Sequence, residues 1–203
     1  MTELSNAVHH NGLGKIYYQN GTLLYEGYIK DGKLDGPGKS YYPTGSLKYD
    51  GEFKNGEFHG NGTFYSRRPY SYDDYSGEEF FFTYKGEFEN GKFHGDGKIY
   101  CNDGILHKDG HFNHGSLNGL AKVYQNGIIY QEGHFKDGLL NGIGKEYLNG
   151  ILHKDGHFED GRLNGPAKVY HDGSLYFEGN FNGGWCSGFR DKRDLLVEHY
   201  ILE

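Results

Sequence analysis

Histidine is the first residue type in this chain whose spacing suggests chemistry. His107, His111, His134, His153 and His157 fall in one stretch, and imidazoles are common ligands of transition metals. On a β-strand, His107 and His111 would stand roughly 13 Å apart, and equivalent histidines two strands apart would stand near 10 Å. Ligands of one zinc ion sit about 2 Å from it. Neither spacing builds a site, so no metal or other cofactor is expected, and His111 and His134 are assigned to a solvated surface. Lys15, Lys39, Lys98, Lys122, Lys145 and Lys168 form a second series, one per unit. A row of cations could take phosphoinositide headgroups or an acidic partner. Glu26, Glu52, Glu87 and Glu132 are expected on the same face, which makes it a mixed-charge, solubilising surface.

Two further runs resemble ligand loops and fail on detail. Gly32–Ser40 (GKLDGPGKS) has one residue too many before Gly38-Lys39-Ser40 to cradle a phosphate, and it leads into no helix. Asp31–Gly36 (DGKLDG) puts Lys33 at a calcium-ligand position and Tyr42 where the closing Glu belongs. No HExxH, GxSxG or paired CxxC occurs. The chain is not expected to be an enzyme.

These residues are positioned by a repeat. ILHKDGHF at Ile105–Phe112 recurs unchanged at Ile151–Phe158. Units start at Gly27, Gly51, Gly86, Gly110, Gly133, Gly156 and Gly179, in steps of 24, 35, 24, 23, 23 and 23 residues. A fixed period of this length marks a repeat architecture. Each period holds two turn signals, such as Asn55-Gly56 and Asn126-Gly127, suited to two-residue type I′ hairpins. The fold class that follows is all-β: an elongated antiparallel meander of tandem hairpins in one coiled sheet. About fourteen strands at roughly 4.8 Å spacing make a length on the order of 60–70 Å.

A tight turn at Asn55-Gly56 pairs Lys54 with Glu57, Phe53 with Phe58 and Glu52 with His59. Continued outward, it sets Gly51 against Gly60, Tyr49 against Gly62 and Leu47 against Phe64. Phe53, Phe58, Tyr49, Leu47 and Phe64 then share one face, and Lys54, Glu57, Glu52, His59, Asp50, Asn61 and Lys48 the other. A one-residue slip would exchange the faces, so the clean sorting supports the pairing. The same register sets Phe82 against Ile99, Leu106 against Val123 and Leu152 against Val169. It also sets Gly110 against Gly119 and Gly156 against Gly165, a side-chain-free crease along which the sheet would fold.

The composition agrees with an ordered repeat. Glycine is 35 of 203 residues without a collagen period, and 19 Tyr and 14 Phe argue against disorder. A net charge of −7 disfavours nucleic acid and anionic membrane as partners. Cys101 and Cys186 are expected to be free thiols of a reducing, cytoplasmic setting, and neither a signal peptide nor a membrane-spanning run is visible. The array is assigned to residues 1–190 and a capping segment to 191–203. Asp194 there could cap a short helix from Leu195 to Leu202, or the run could form a strand, being too short for periodicity to decide; either would close the last hairpin's edge or a groove. The insertion at 66–79 (SRRPYSYDDYSGEE) carries Arg67, Arg68, Tyr70, Tyr72 and Tyr75. Arg and exposed aromatics anchor many interfaces. With Tyr49 and Tyr84 they are the candidate partner-binding residues.

Tyr25–Gly45 (YEGYIKDGKLDGPGKSYYPTG) and Tyr49–Tyr65 (YDGEFKNGEFHGNGTFY) resemble MORN repeats, named for membrane occupation and recognition nexus. The core stands at Tyr49, Gly51, Phe53, Gly56, Gly60 and Gly62, and again at Tyr84, Gly86, Phe88, Gly91, Gly95 and Gly97. The resemblance covers about residues 12–190. Copies four to six depart from it, with Lys108, Gln131 and Lys154 for the Tyr and Ala121 and Ala167 for the last Gly. The Tyr-rich second half resembles the bacterial variant, some members of which are antitoxin components. The resemblance implies a hairpin array that binds protein partners or works near membranes, without chemistry of its own. The expected function is a noncatalytic interaction scaffold. The alternatives are an antitoxin or immunity protein, and a peripheral phospholipid-binding module.

Overall fold

A computed structural model of the protein describes residues 11–66 and 82–186. Fifteen strands succeed one another: β1 (Gly12–Tyr17), β2 (Leu23–Lys30), β3 (Lys33–Tyr41), β4 (Leu47–Lys54), β5 (Glu57–Tyr65), β6 (Phe82–Glu89) and β7 (Lys92–Cys101). Then come β8 (Leu106–Asn113), β9 (Ser116–Gln125), β10 (Ile128–Lys136), β11 (Leu139–Leu148), β12 (Ile151–Glu159), β13 (Arg162–His171), β14 (Ser174–Asn182) and β15 (Trp185–Cys186). Each pairs antiparallel with its chain neighbours in one sheet whose spatial order is the chain order. Among the described residues there is no helix. Cys101 and Cys186 are free.

The turns are of two kinds. Asp31, Asn55, Asn90, His114, Asp137 and Asp160 have φ between 47° and 53°, and each is followed by a positive-φ glycine. This is the two-residue hairpin read from sequence. Asn126, Asn149 and Asp172 make the same turn. The other three second turns are longer. Gly45 N–H donates to the Tyr42 carbonyl at 2.8 Å, and Tyr42 N–H to the Ser46 carbonyl at 2.8 Å. Three loop residues, the last a left-handed glycine, close the hairpin there. Gln19–Gly21 and Asn102–Gly104 do likewise.

The expected register holds near the first turns and fails beyond them. Lys54–Glu57, Phe53–Phe58 and Glu52–His59 pair as expected, but Gly51 faces Gly62, and Tyr49 faces Phe64. Two residues, Gly60 and Asn61, are skipped. Gly60 takes φ 55°, and its counterparts Gly36, Gly95, Gly119, Gly142 and Gly165 are also positive. The first glycine of each G-x-G or G-x-A is therefore a bulge, since only glycine reaches that backbone cheaply. The bulge moves the other expected pairs too: Ile99 faces Tyr84, Val123 faces Lys108 and Val169 faces Lys154. Gly110 and Gly156 face Ala121 and Ala167. A two-residue shift preserves side-chain parity, so the face assignment survives it. A second bulge does not preserve it. It brings Leu47 opposite Tyr41 and places the Lys48 ammonium over the Phe58 ring at 5.7 Å. Neither residue is on its expected face.

The crease is made by the second glycine. From β1 to β14 one residue per strand is aligned: Gly14, Gly27, Gly38, Gly51, Gly62, Gly86, Gly97, Gly110, Ala121, Gly133, Gly144, Gly156, Ala167 and Gly179. On the inner face, tyrosine rings lie across this row. The Tyr49 ring stacks on Phe58 with centroids 4.0 Å apart and meets Phe53 and Phe88 edge-on. Tyr84 stacks on Phe93 at 3.9 Å. The Tyr49 hydroxyl donates to the Glu52 and His59 carbonyls at 3.0 and 3.2 Å, so the buried phenol is satisfied. A single layer thereby gains a core, built from residues on both sides of its own fold line.

Candidate interaction surface

The outer face is organised by the residue next to each crease position. Across the sheet these residues are Lys15, Glu26, Lys39, Asp50, Thr63, Lys85, Lys98, Asp109, Lys122, Glu132, Lys145, Asp155, Lys168 and Glu178. The lysine row expected from the sequence is thus half of a ladder of alternating sign. Each of its lysines meets a carboxylate on the next strand: Lys15–Glu26 at 3.2 Å, Lys39–Asp50 at 3.0 Å, Lys98–Asp109 at 2.5 Å and Lys122–Glu132 at 3.4 Å. Lys145–Asp155 and Lys168–Glu178 follow at 3.9 and 3.7 Å. Alternation breaks at two neighbouring positions, Thr63, which is uncharged, and Lys85, which lies opposite Lys98. The Lys85 ammonium there sits 5.5 Å from the centroid of the Tyr100 ring.

Two residues further along each odd strand is a tyrosine: Tyr17, Tyr41, Tyr65, Tyr100, Tyr124, Tyr147 and Tyr170. Two of them buttress the ladder. Tyr41 donates to Glu26 at 2.7 Å and Tyr147 to Glu132 at 2.6 Å. These hydrogen bonds hold both carboxyls below the ordinary glutamate range, with the neighbouring lysines adding to the effect. The partner hydroxyls rise to about 12, Tyr41 chiefly through its bond to Glu26 and Tyr147 chiefly through burial.

On the other side of the crease the outer face carries Leu120 and Ile143, paired across to His134 and His157. They are 66% and 70% exposed. With Lys122, Glu132 and Lys145 they line a shallow groove of about 510 Å³, floored by Gly110, Ala121, Gly133 and Gly144. Its floor is nearly bare backbone because the crease has no long side chains.

The histidines serve the backbone. Nδ1 of His107 and of His153 lies 2.8 and 3.0 Å from the Tyr124 and Tyr170 carbonyls, and His157 Nδ1 lies 2.9 Å from that of Asn164. His111 faces Asp96 at 3.1 Å. Burial lowers the pKa of His107. Among the described residues no three potential ligands cluster to hold a metal ion, and no helix is long and apolar enough to cross a membrane.

Of the candidate partner-binding residues, Tyr49 and Tyr84 are 0% exposed. Their rings fill the inner crease and desolvation raises their pKa, so they are pillars of the core and present nothing to a partner. Arg67, Arg68, Tyr70, Tyr72 and Tyr75 lie outside the described residues, as does the segment 191–203. Leu120, Ile143 and the tyrosine series were missed from sequence. The signal for the series was present: Lys-x-Tyr, or Thr-x-Tyr at Thr63, follows every crease position on the odd strands. For Leu120 and Ile143 it was an aliphatic residue, as at Leu13, at a position held in the other hairpins by Asn61, Asp96 or proline.

A family model of the MORN repeat matches residues 25–47, 49–67, 84–105 and 132–150. No curated protein matches the chain. The hairpins outside the matched segments keep the same crease pairing, Gly110–Ala121 and Gly156–Ala167. What they lack is the tyrosine over the crease.

Proposed function

We propose that this MORN-repeat protein is a noncatalytic interaction scaffold whose partner docks on the outer face at Leu120 and Ile143. The supporting observation is the exposure of two aliphatic side chains on neighbouring repeats, above a groove with a backbone floor. Much of the rest of that face is charge pairs, with Tyr41 and Tyr147 bonded to its carboxylates, whereas these two side chains project away from the array's own core. Exposed apolar groups rimmed by charge are a recurrent feature of binding surfaces. The phospholipid reading loses its main support, because the lysines of the row are already paired with carboxylates and the ladder is close to neutral. An antitoxin is a special case of the scaffold reading, in which the partner is a toxin.

The test is affinity purification with the wild type and the Leu120→Asp/Ile143→Asp variant. Both substitutions are at the surface, so unfolding should stay within about 0.5 kcal/mol of wild type. A partner retained by wild type and lost by the variant supports the assignment. The same partners on both, with equal recovery, would discard it. Sedimentation with anionic liposomes at low salt should leave the protein in the supernatant.

A further inference from the structure

Asn55, Asn90, Asn126 and Asn149 all sit in the left-handed region, with φ between 50° and 53°, and each precedes a positive-φ glycine. All four, and the glycines after them, are exposed turn residues. Residue pair and local backbone are therefore the same at the four sites, as the type I′ hairpin demands. Their surroundings differ. At the first turns the glycine N–H is engaged: Gly56 donates to the Leu34 carbonyl at 2.8 Å and Gly91 to the Phe58 carbonyl at 3.0 Å. At the second turns the N–H groups of Gly127 and Gly150 have no acceptor among the described residues. What lies against these two glycines is a methyl group. A carbon added to Gly127 would meet Cγ2 of Ile105 at 3.2 Å, and one added to Gly150 would meet Cγ2 of Ile128 at 3.0 Å.

We propose that Asn126 and Asn149 are sites of spontaneous deamidation, a modification that the array directs to these second turns and suppresses at Asn55 and Asn90. The reaction needs only the chain and water. The backbone nitrogen of the following glycine, once its proton has passed to solvent, attacks the asparagine Cγ. A new C–N bond closes a five-membered succinimide, the Cγ–Nδ2 bond breaks, and the side-chain nitrogen leaves as ammonia after taking up a proton. Water then opens the ring at either carbonyl, leaving aspartate or isoaspartate. Glycine obstructs the attack least, because it has no β-carbon and turns freely about its backbone. The attacking nitrogen must give up its proton and swing toward the side chain. Gly56 and Gly91 must first break a hydrogen bond to the preceding hairpin, whereas Gly127 and Gly150 have none to break. Each conversion replaces a neutral amide by a carboxylate, and isoaspartate adds a backbone atom to a two-residue turn. The change falls at the ends of β9 and β11, the strands that carry Leu120 and Ile143.

The experiment is to age the intact protein in mildly alkaline buffer made with heavy-oxygen water, then to map it by mass spectrometry. Heavy oxygen taken up during ageing separates these conversions from any that occur during digestion. Asn126 and Asn149 should convert about fivefold faster than Asn55 and Asn90, the worth of one backbone hydrogen bond. In urea, where that bond is gone, the four rates should converge. Equal rates in the folded chain, or a preference that persists in urea, would overturn the proposal. Ammonia release supplies an independent readout. Asn126→Gln/Asn149→Gln, whose longer side chains cannot close the five-membered ring, should abolish most of it. Release undiminished in that variant would place the chemistry at other residues and refute the assignment.

Discussion

Replacing Gly62 by alanine tests the crease. The φ of Gly62 is not positive, so alanine meets no conformational objection, and the cost is steric. A β-carbon there would lie 2.5 Å from both Cε2 and Cζ of Tyr49. Tyr49 cannot swing away, being fully buried and stacked on Phe58. Overpacking of this kind costs about 2 kcal/mol, which for a chain of this size lowers Tm by about 4–8 °C. Tyr49→Lys alone removes a buried aromatic and should cost about 3–5 kcal/mol. The chain has already made both changes together, with Lys108 beside the Gly110–Ala121 pair and Lys154 beside Gly156–Ala167. The double variant Tyr49→Lys/Gly62→Ala should therefore cost no more than Tyr49→Lys, a coupling of about 2 kcal/mol between neighbours. Denaturant unfolding followed by far-UV circular dichroism measures all three. Additive costs, or a Gly62→Ala change below about 0.5 kcal/mol, would refute the account of the crease.

Gly56→Ala should behave differently, because nothing lies within 4 Å of its added carbon while its φ is 90°. Its loss of about 1 kcal/mol should be unaffected by Tyr49→Lys, which the same unfolding experiment checks. Tyr147→Phe should raise the Glu132 pKa toward its ordinary value, read by carbon-detected NMR titration. Because Glu132 is depressed in the folded state, its contribution is complete above the unfolded glutamate value and disappears as pH falls through the lower, folded one. The variant should be less stable than wild type at pH 7 and match it at pH 3, with Tm as the readout. A gap that persists at pH 3 would assign the loss to packing of the ring.

The strand order, the first turns and the sorting of Phe53 from Lys54 were legible because period and turn chemistry are local. The register beyond Glu52–His59 was not. The two glycines of Gly60-Asn61-Gly62 look alike as letters, yet one is a left-handed bulge and the other the floor beneath a ring. Only the ring's position tells them apart, and that depends on pairing across strands. For the same reason the sequence places Tyr49 with Phe53 and Phe58 on the apolar face and also leaves it a candidate for partner binding. A tyrosine beside a mid-strand glycine is equally compatible with covering that glycine, and burial decides for the second. The lysine row was visible, whereas its neutralisation required Asp50, Asp109 and Asp155 to be placed on the neighbouring strands.

The two rims of the sheet are fastened differently. At the first-turn rim, backbone joins backbone: the amides of Gly56, Gly91, Gly115, Gly138, Gly161 and Gly184 each reach a carbonyl of the preceding hairpin. Between Gly91 and Phe58 this contact survives the extra residues of the long unit. At the opposite rim the ties are side chains, Tyr18 to the Tyr41 carbonyl and Tyr42 to the Tyr65 carbonyl. One margin works as a spine of backbone contacts that no side-chain truncation removes. The other can exchange its fastenings one residue at a time, and it is the rim at which the long unit's extra residues join β5 to β6.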